Sequence, residues 1–314
     1  MNNRDMSIER RLLTRICYWY YEKAKTQQEI ADIEGLSRMK VSRLLQKAKE
    51  EGVVKVLIDY RGFFVELENK LMEKYGLTKA IIVDSPEVPA VKEKVAAAAA
   101  FYLENVLTDG STVAVGWGTT LDMVSNFLPR NNKKIVFSPI IGGHGKNEID
   151  LHASSIAVKL AQKTGGESFF LLAPAFAQNE KQKEILLNDN FIKEVLSRSA
   201  SANFALFSLG NPQEPGNSFI KSGYFSDEEL ELLHQENVIC DVVSILFLNN
   251  KGDPCCGQLT KRSIGIDPEE LKRISVKICV VDGETKYQSV KIALKADYID
   301  VLILDHSMAE YLAA

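Results

Sequence analysis

At 314 residues, with 46% hydrophobic and 25% charged side chains, the chain has room for two domains and an ordinary globular composition, which excludes a disordered or low-complexity protein. The net charge of -4 hides an asymmetry: residues 1–60 hold 12 Lys+Arg against 9 Asp+Glu and the remainder 26 against 33, so only the N-terminal end has the polarity for DNA. MNNRDMSIER lacks a signal core and no apolar run reaches membrane-spanning length, so a cytoplasmic protein without membrane partners is expected.

Glu9 to Lys23 places Leu12, Leu13, Ile16, Trp19 and Tyr20 at helical spacing, predicting a first amphipathic helix. Thr26 followed by Glu29 is a capping-box start for a short helix from about Gln27 to Ile33, with Ile30, Ala31 and Ile33 on its buried side. Gly35 ends it. Ser37 caps a second helix whose Val41, Leu44, Leu45 and Ala48 face inward. Small Ala31 where two helices touch, Gly35 at the turn and aliphatic Val41 and Leu44 match a helix-turn-helix. From Leu36 to Lys49 there are five basic residues and no acidic one, so the outer face suits phosphates and a major groove. Thr26, Gln27, Ser37, Arg38, Lys40, Ser42, Arg43 and Lys47 are the candidate DNA contacts, with Lys47 and Lys49 assigned to phosphate. VVKVLIDY alternates Val54, Val56 and Ile58, predicting a small β-wing. Phe64, Leu67 and Leu71 then share one helical face, read as a dimer contact in preference to packing on the chain itself.

Beyond this, apolar runs alternate with amphipathic stretches: AIIVD (80–84), a helix over 90–106, STVAVGW (111–117), a helix from Thr119, KIVFSPII (134–141), SFFLLA (168–173), NFALFSLG (203–210), DVVSILFLN (241–249), VKICVVDG (276–283) and YIDVLILD (298–305). The pattern predicts an α/β fold, a largely parallel sheet with helices on both faces and ligands at the carboxyl ends of strands. The strand at 111–117 runs into Gly116, Trp117, Gly118, Thr119 and Thr120. Glycines let backbone close on a ligand, and a helix N-terminus with two hydroxyls favours an anion such as a sugar phosphate. No Gly-Lys-Ser/Thr follows, which disfavours a nucleotide. Gly143, His144, Asp241 and Lys286 stand at further strand ends. Cys17, Cys240, Cys255, Cys256 and Cys279 are odd in number and lack metal-ligand spacing, so they read as free thiols, with the adjacent pair a turn and not a redox couple. No cofactor or metal is expected.

The helix-turn-helix from Thr26 to Gly52, followed by VGWGTT, SPIIGG, SGYFS, a CDVV strand and VVDGETKYQSVKIAL, resembles the SorC family of bacterial sugar-responsive transcription regulators over nearly the whole chain. The resemblance implies an N-terminal DNA-binding domain at 1–60 and, at 61–314, a Rossmann-like effector and oligomerisation domain with the fold of sugar-phosphate isomerases. It also implies an effector site at Thr119, Thr120, Asp241 and Lys286, operator DNA as partner, and a homo-oligomer, dimer or tetramer, controlling a carbohydrate-use operon. Two departures stand out: Asp282 replaces a glycine common before Gly283, and Asp150-Leu151-His152 replaces a Gln-x-Asn of some relatives. A carboxylate repels a nearby phosphate unless it accepts hydrogen bonds from hydroxyls. The rival reading is a sugar-phosphate isomerase with an appended DNA-binding domain, but no carboxylate–histidine pair at a committed spacing supplies its base.

Overall fold

The computed structural model describes residues 3–55, 63–84, 88–145, 149–214, 217–221, 223 and 225–314. The chain divides into two compact units, Met1–Arg61 and Gly62–Ala314.

In the smaller unit α1 (Asn3–Cys17) continues into one π turn, Tyr18–Glu22, and is followed by α2 (Gln27–Glu34) and α3 (Arg38–Glu50). The Thr26 hydroxyl accepts from the Glu29 N–H and the Glu29 carboxylate takes the Thr26 N–H at 2.8 Å, so each satisfies a donor the helix start leaves open. Gly35 closes α2 in the left-handed region, φ 64°, where a side chain is disfavoured. Ser37 caps α3 by accepting from the Lys40 N–H at 3.2 Å. Leu13, Ile16, Ile30, Ala31, Val41, Leu45 and Ala48 form the core.

Four expectations shift. Ile33 is 44% exposed because the inward position beside Ile30 is taken by Glu34, which accepts from Trp19 Nε1 at 3.1 Å and from Arg15 at 3.0 Å. Tyr20 is exposed as well: a π turn adds a residue to the turn and slips the apolar stripe, so Trp19 faces in and Tyr20 out. Leu44 is only half-buried. Of the wing, residues 53–55 form no strand, the N–H groups of Val53 and Val54 bonding instead to the Ala48 carbonyl; Val56 and Ile58 lie outside the described residues.

The larger unit begins with α4 (Val65–Tyr75), then β1 (Lys79–Val83), α5 (Val88–Val106), β2 (Thr112–Val115), α6 (Thr119–Phe127), β3 (Val136–Pro139), α7 (Ala153–Thr164) and β4 (Glu167–Ser168). After helices α8 (Glu180–Leu187) and α9 (Asn190–Ala200) come β5 (Phe204–Phe207), β6 (Leu209–Gly210), β7 (Val238–Val242), β8 (Leu246–Asn249), β9 (Pro254–Cys255), β10 (Val276–Val280) and β11 (Val301–Asp305). Seven strands form a parallel sheet in the order β1-β11-β10-β5-β2-β3-β4.

Alternate residues of each strand enter opposite layers: Val113, Val115, Val301 and Ile303 pack under α5, α6 and α7, while Ala114, Leu302 and Leu304 face the core on the other side. Burial on both faces is why these strands read as continuous apolar runs. Leu71 is fully buried in that second core, with Phe64 and Leu67 packed against it, and α4 lies on β1 and on the helix His306–Ala313. The α4 face is therefore covered by its own chain, and the expected dimer contact is corrected.

Two of the expected strands are divided. NFALFSLG breaks at Ser208, so that β5 belongs to the parallel sheet and β6 to a four-stranded antiparallel sheet, β6-β7-β8-β9. DVVSILFLN is a hairpin, turning at Val243 (φ 53°) and Ser244 (φ 61°). Of SFFLLA only Ser168 pairs, as the end of β4, and the run then leaves the sheet edge, exposing Phe170 and Leu172.

Candidate functional site

On α3, Arg38, Lys40, Ser42, Arg43 and Lys49 are all exposed, opposite buried Val41, Leu45 and Ala48. The helix thus presents a continuous basic face while its other side is fixed by packing against α1 and α2. Thr26 and Ser37 serve as helix caps, and Gln27 is half-buried at the start of α2. Lys47 differs from its neighbours, because its ammonium pairs with Glu9 and lies 3.4 Å from Glu51. Those carboxylates raise its pKa, the Glu9 hydrogen bond first.

In the larger unit a cleft of about 210 Å³ opens where the two sheets meet. Gly118, Thr119 and Thr120 line it at the N-terminus of α6, Lys92 enters from the start of α5, and Lys286 from the segment after β10. Facing them are Ser208, Asn211, Glu214 and Asn217 from the loop region after β5, and Asp241 from β7. Gly118 adopts φ 114°, a conformation open to glycine, and its N–H bonds to the Leu151 carbonyl at 3.0 Å. The cationic wall is internally wired. Lys92 Nζ donates to Thr119 Oγ1 at 3.0 Å, Thr120 Oγ1 donates to Asp282 at 2.8 Å, and the Asp282 carboxylate lies 3.9 Å from Lys92.

Lys286 is half-buried, and desolvation lowers its pKa with help from Lys92, against the pull of Asp282 and Cys279. Asp241 is 2% exposed, and burial pushes its pKa up to about 7 although the Ser244 N–H, at 2.6 Å, holds the charged form back toward its ordinary range. A carboxyl poised near neutrality and buried at a cleft wall can accept from a sugar hydroxyl when ionised or donate when protonated.

The structure thus brings Gly118, Thr119, Thr120, Asp241 and Lys286 to one cleft. Gly116 lies behind it, packed so closely on β5 that a Cβ would stand 3.1 Å from Phe207 Cβ. His144 is fully buried behind Trp117, with stacked rings 3.7 Å apart, and shares a 3.0 Å hydrogen bond with Ser244. Burial first, then His152, lowers its pKa far below the ordinary value, so the ring is neutral and serves as a prop for Trp117. Gly143 is confined beside the His152 ring, 3.2 Å from where a Cβ would sit. Sequence reasoning missed Lys92, Ser208, Asn211, Glu214 and Asn217. Nothing in their local spacing marks them, since the fold alone carries them to the cleft.

Residues 62–314 match the family model described as "Putative sugar-binding domain". The deoxyribonucleoside regulator of Bacillus subtilis is 31% identical over 297 residues, covering 93% of this chain and 94% of that protein. The chain belongs to the SorC family of sugar-responsive transcriptional regulators. The sorbitol operon regulator of Klebsiella pneumoniae is 27% identical over 320 residues, 98% of this chain and 99% of its own length. The crystal structure of the full-length sorbitol operon regulator SorC from that organism superposes with a TM-score of 0.76, covering 97% of this chain and 99% of that one. Coverage of both ends of each chain means that the SorC-type architecture extends over helix-turn-helix and α/β unit alike. The relatives are named as regulators, which favours that function over a sugar-phosphate isomerase with an added domain. Among the described residues no helix is long and apolar enough to cross a membrane.

Proposed function

We propose that residues 1–60 read operator DNA and residues 61–314 bind a small phosphorylated sugar, in a cytoplasmic homo-oligomer that controls a carbohydrate-use operon without catalysing a reaction. The observation that carries the effector assignment is the chemical polarity of one cleft. Its α6 wall offers helix amides, the Thr119 hydroxyl and the ammonium groups of Lys92 and Lys286, whereas its other wall offers Asp241 and Asn211. A phosphate suits the first and hydroxyls the second. Asp282 does not spoil the anion end, because Thr120 and Lys92 already engage its charge. The names of the Bacillus subtilis and Klebsiella pneumoniae relatives, for deoxyribonucleosides and sorbitol, support an effector drawn from carbohydrate metabolism.

A thermal-unfolding screen of the full chain tests this. A ligand bound only by the native state at 100 times its Kd stabilises by about 2.7 kcal/mol. The expected result is stabilisation by a sugar phosphate well beyond that given by its parent sugar. Equal shifts from both would remove the phosphate from the assignment, and measurable turnover of the phosphate would restore the isomerase reading.

On the DNA side, Arg38, Lys40, Ser42 and Arg43 occupy the first turns of α3, the part of a recognition helix that reaches base edges. Arg43→Ala is expected to relax discrimination at particular base pairs at a cost of roughly 1–3 kcal/mol. Lys49→Ala should instead weaken all DNA alike and lower the salt slope by about 1, whereas Lys47 has first to leave Glu9 and Glu51 to meet a phosphate. Unchanged operator affinity in Arg43→Ala would take that residue out of the reading set.

A further inference from the structure

The two adjacent cysteines, unremarkable in the sequence, acquire a partner in the fold. Glu236 caps the helix Asp227–Gln235, Cys255 ends the edge strand β9, and Cys256 opens the short helical turn Gly257–Thr260. One carboxylate oxygen and both Sγ atoms lie within 4.8 Å of one another. Glu236 Oε2 also accepts from the Cys256 N–H at 2.6 Å, which ties the carboxylate to the turn. Neither cysteine is in a disulfide, and the Cys255 thiol donates a long, 3.5 Å hydrogen bond to the Phe247 carbonyl. Glu236 is exposed and Cys255 half-buried, so an ion can enter, while buried Cys256 provides a fixed inner donor. Cys256 sits at φ 48°, which a cysteine adopts only where its surroundings impose it.

We propose that Glu236, Cys255 and Cys256 form a binding site for a thiophilic divalent cation of the Zn²⁺ class, with a fourth position left open to solvent. Two thiolates and a carboxylate are a donor set such an ion favours over the hard cations, which take oxygen ligands alone. Zinc–sulfur bonds of about 2.3 Å and zinc–oxygen bonds of about 2.0–2.2 Å give tetrahedral edges of roughly 3.5–3.8 Å, so the three donors have to close by no more than about an ångström. Each thiol loses its proton to solvent as its sulfur bonds to the ion. The site is separate from the effector cleft. Cys255 pairs with Phe247 and Phe247 with Asp241, which puts the cluster two strands from the cleft wall, roughly 10 Å away. Its test is therefore independent of the effector assignment.

The reduced full chain, titrated with Co²⁺ and then with Zn²⁺, provides that test. One Co²⁺ per chain is expected, with an intense near-ultraviolet thiolate-to-cobalt band that Zn²⁺ abolishes by displacement. Cys255→Ser should lose the band. Glu236→Gln, at an exposed position that cannot disturb the core, should weaken binding by at least the roughly tenfold that loss of an outer-sphere partner costs. A cobalt spectrum without the sulfur band, or a titration unaltered in Cys255→Ser, would overturn the proposal. So would a reduced chain that binds no cation but joins Cys255 to Cys256 on mild oxidation, seen as the loss of two hydrogens in the intact mass.

Discussion

Asp241→Asn is expected to make the protein more stable at pH 8 while weakening its hold on the effector. The Asp241 pKa rises from 3.8 to about 7 on burial. Below pH 3.8 the carboxyl is protonated folded or unfolded, and its burial carries no ionisation cost. Between there and 7 the unfolded chain releases a proton that the folded chain retains, so stability falls as pH rises, by at most 1.36 kcal/mol per unit, and the loss is complete above about 7. The full cost is on the order of 4 kcal/mol. Asparagine does not titrate and can still accept from the Ser244 N–H. Urea unfolding should therefore show an advantage for the variant that grows by roughly 3 kcal/mol between pH 5 and pH 8. Identical pH profiles for the two proteins would mean that Asp241 ionises freely in the folded state. Under the proposed assignment Asp241 also meets a sugar hydroxyl at the cleft wall, which is why the same change should lower effector affinity.

Lys286→Ala should leave the free protein and its operator affinity intact and cost the effector complex roughly 1.5–3 kcal/mol, a tenfold to 150-fold loss of affinity. Lys286 lines the cleft together with Thr119 and Lys92, and the pull of burial against its charge is relieved when an anion arrives beside it. Lys92 remains to bind the phosphate, so binding weakens without vanishing. If effector and operator are coupled only through the populations of two assemblies, the variant responds fully, but at higher effector concentration. An effector titration that overlays the parent's would remove Lys286 from the site, and loss of operator binding without effector would make it structural.

The helix-turn-helix was legible because its signals are local: Thr26 with Glu29, Gly35 and Ser37 each act within one turn of themselves. The parallel strands were legible because burial on both faces leaves an unbroken apolar run, and the glycine-threonine turn before α6 because backbone and hydroxyl chemistry lie next to each other in sequence. The same continuity concealed the β7–β8 hairpin. Its turn is made by Val243 and Ser244 with positive φ, where turn chemistry leads one to look for glycine or asparagine. Ile33 and Tyr20 were misplaced for reasons that periodicity cannot carry, an inward carboxylate satisfied by Trp19 and Arg15, and a π turn. Lys92 lies 27 residues before Thr119, its hydrogen-bond partner, and Glu236 lies 20 before Cys256. Pairings of that range exist only once the sheets are assembled.

The break at Ser208, which sends β5 into one sheet and β6 into the other, has a pharmacological consequence. The α6 wall belongs to the parallel sheet and Asp241 to the antiparallel one, so under the proposed assignment a whole sugar phosphate would touch both and a bare phosphate only the first. A ligand moves an equilibrium only by the difference in its affinity for the two states. An anion that occupies one wall without reaching across would therefore fill the cleft and leave the regulator where it was. On that assignment such a fragment would act as a competitive antagonist, blocking the cleft while being far simpler than the molecule that operates it.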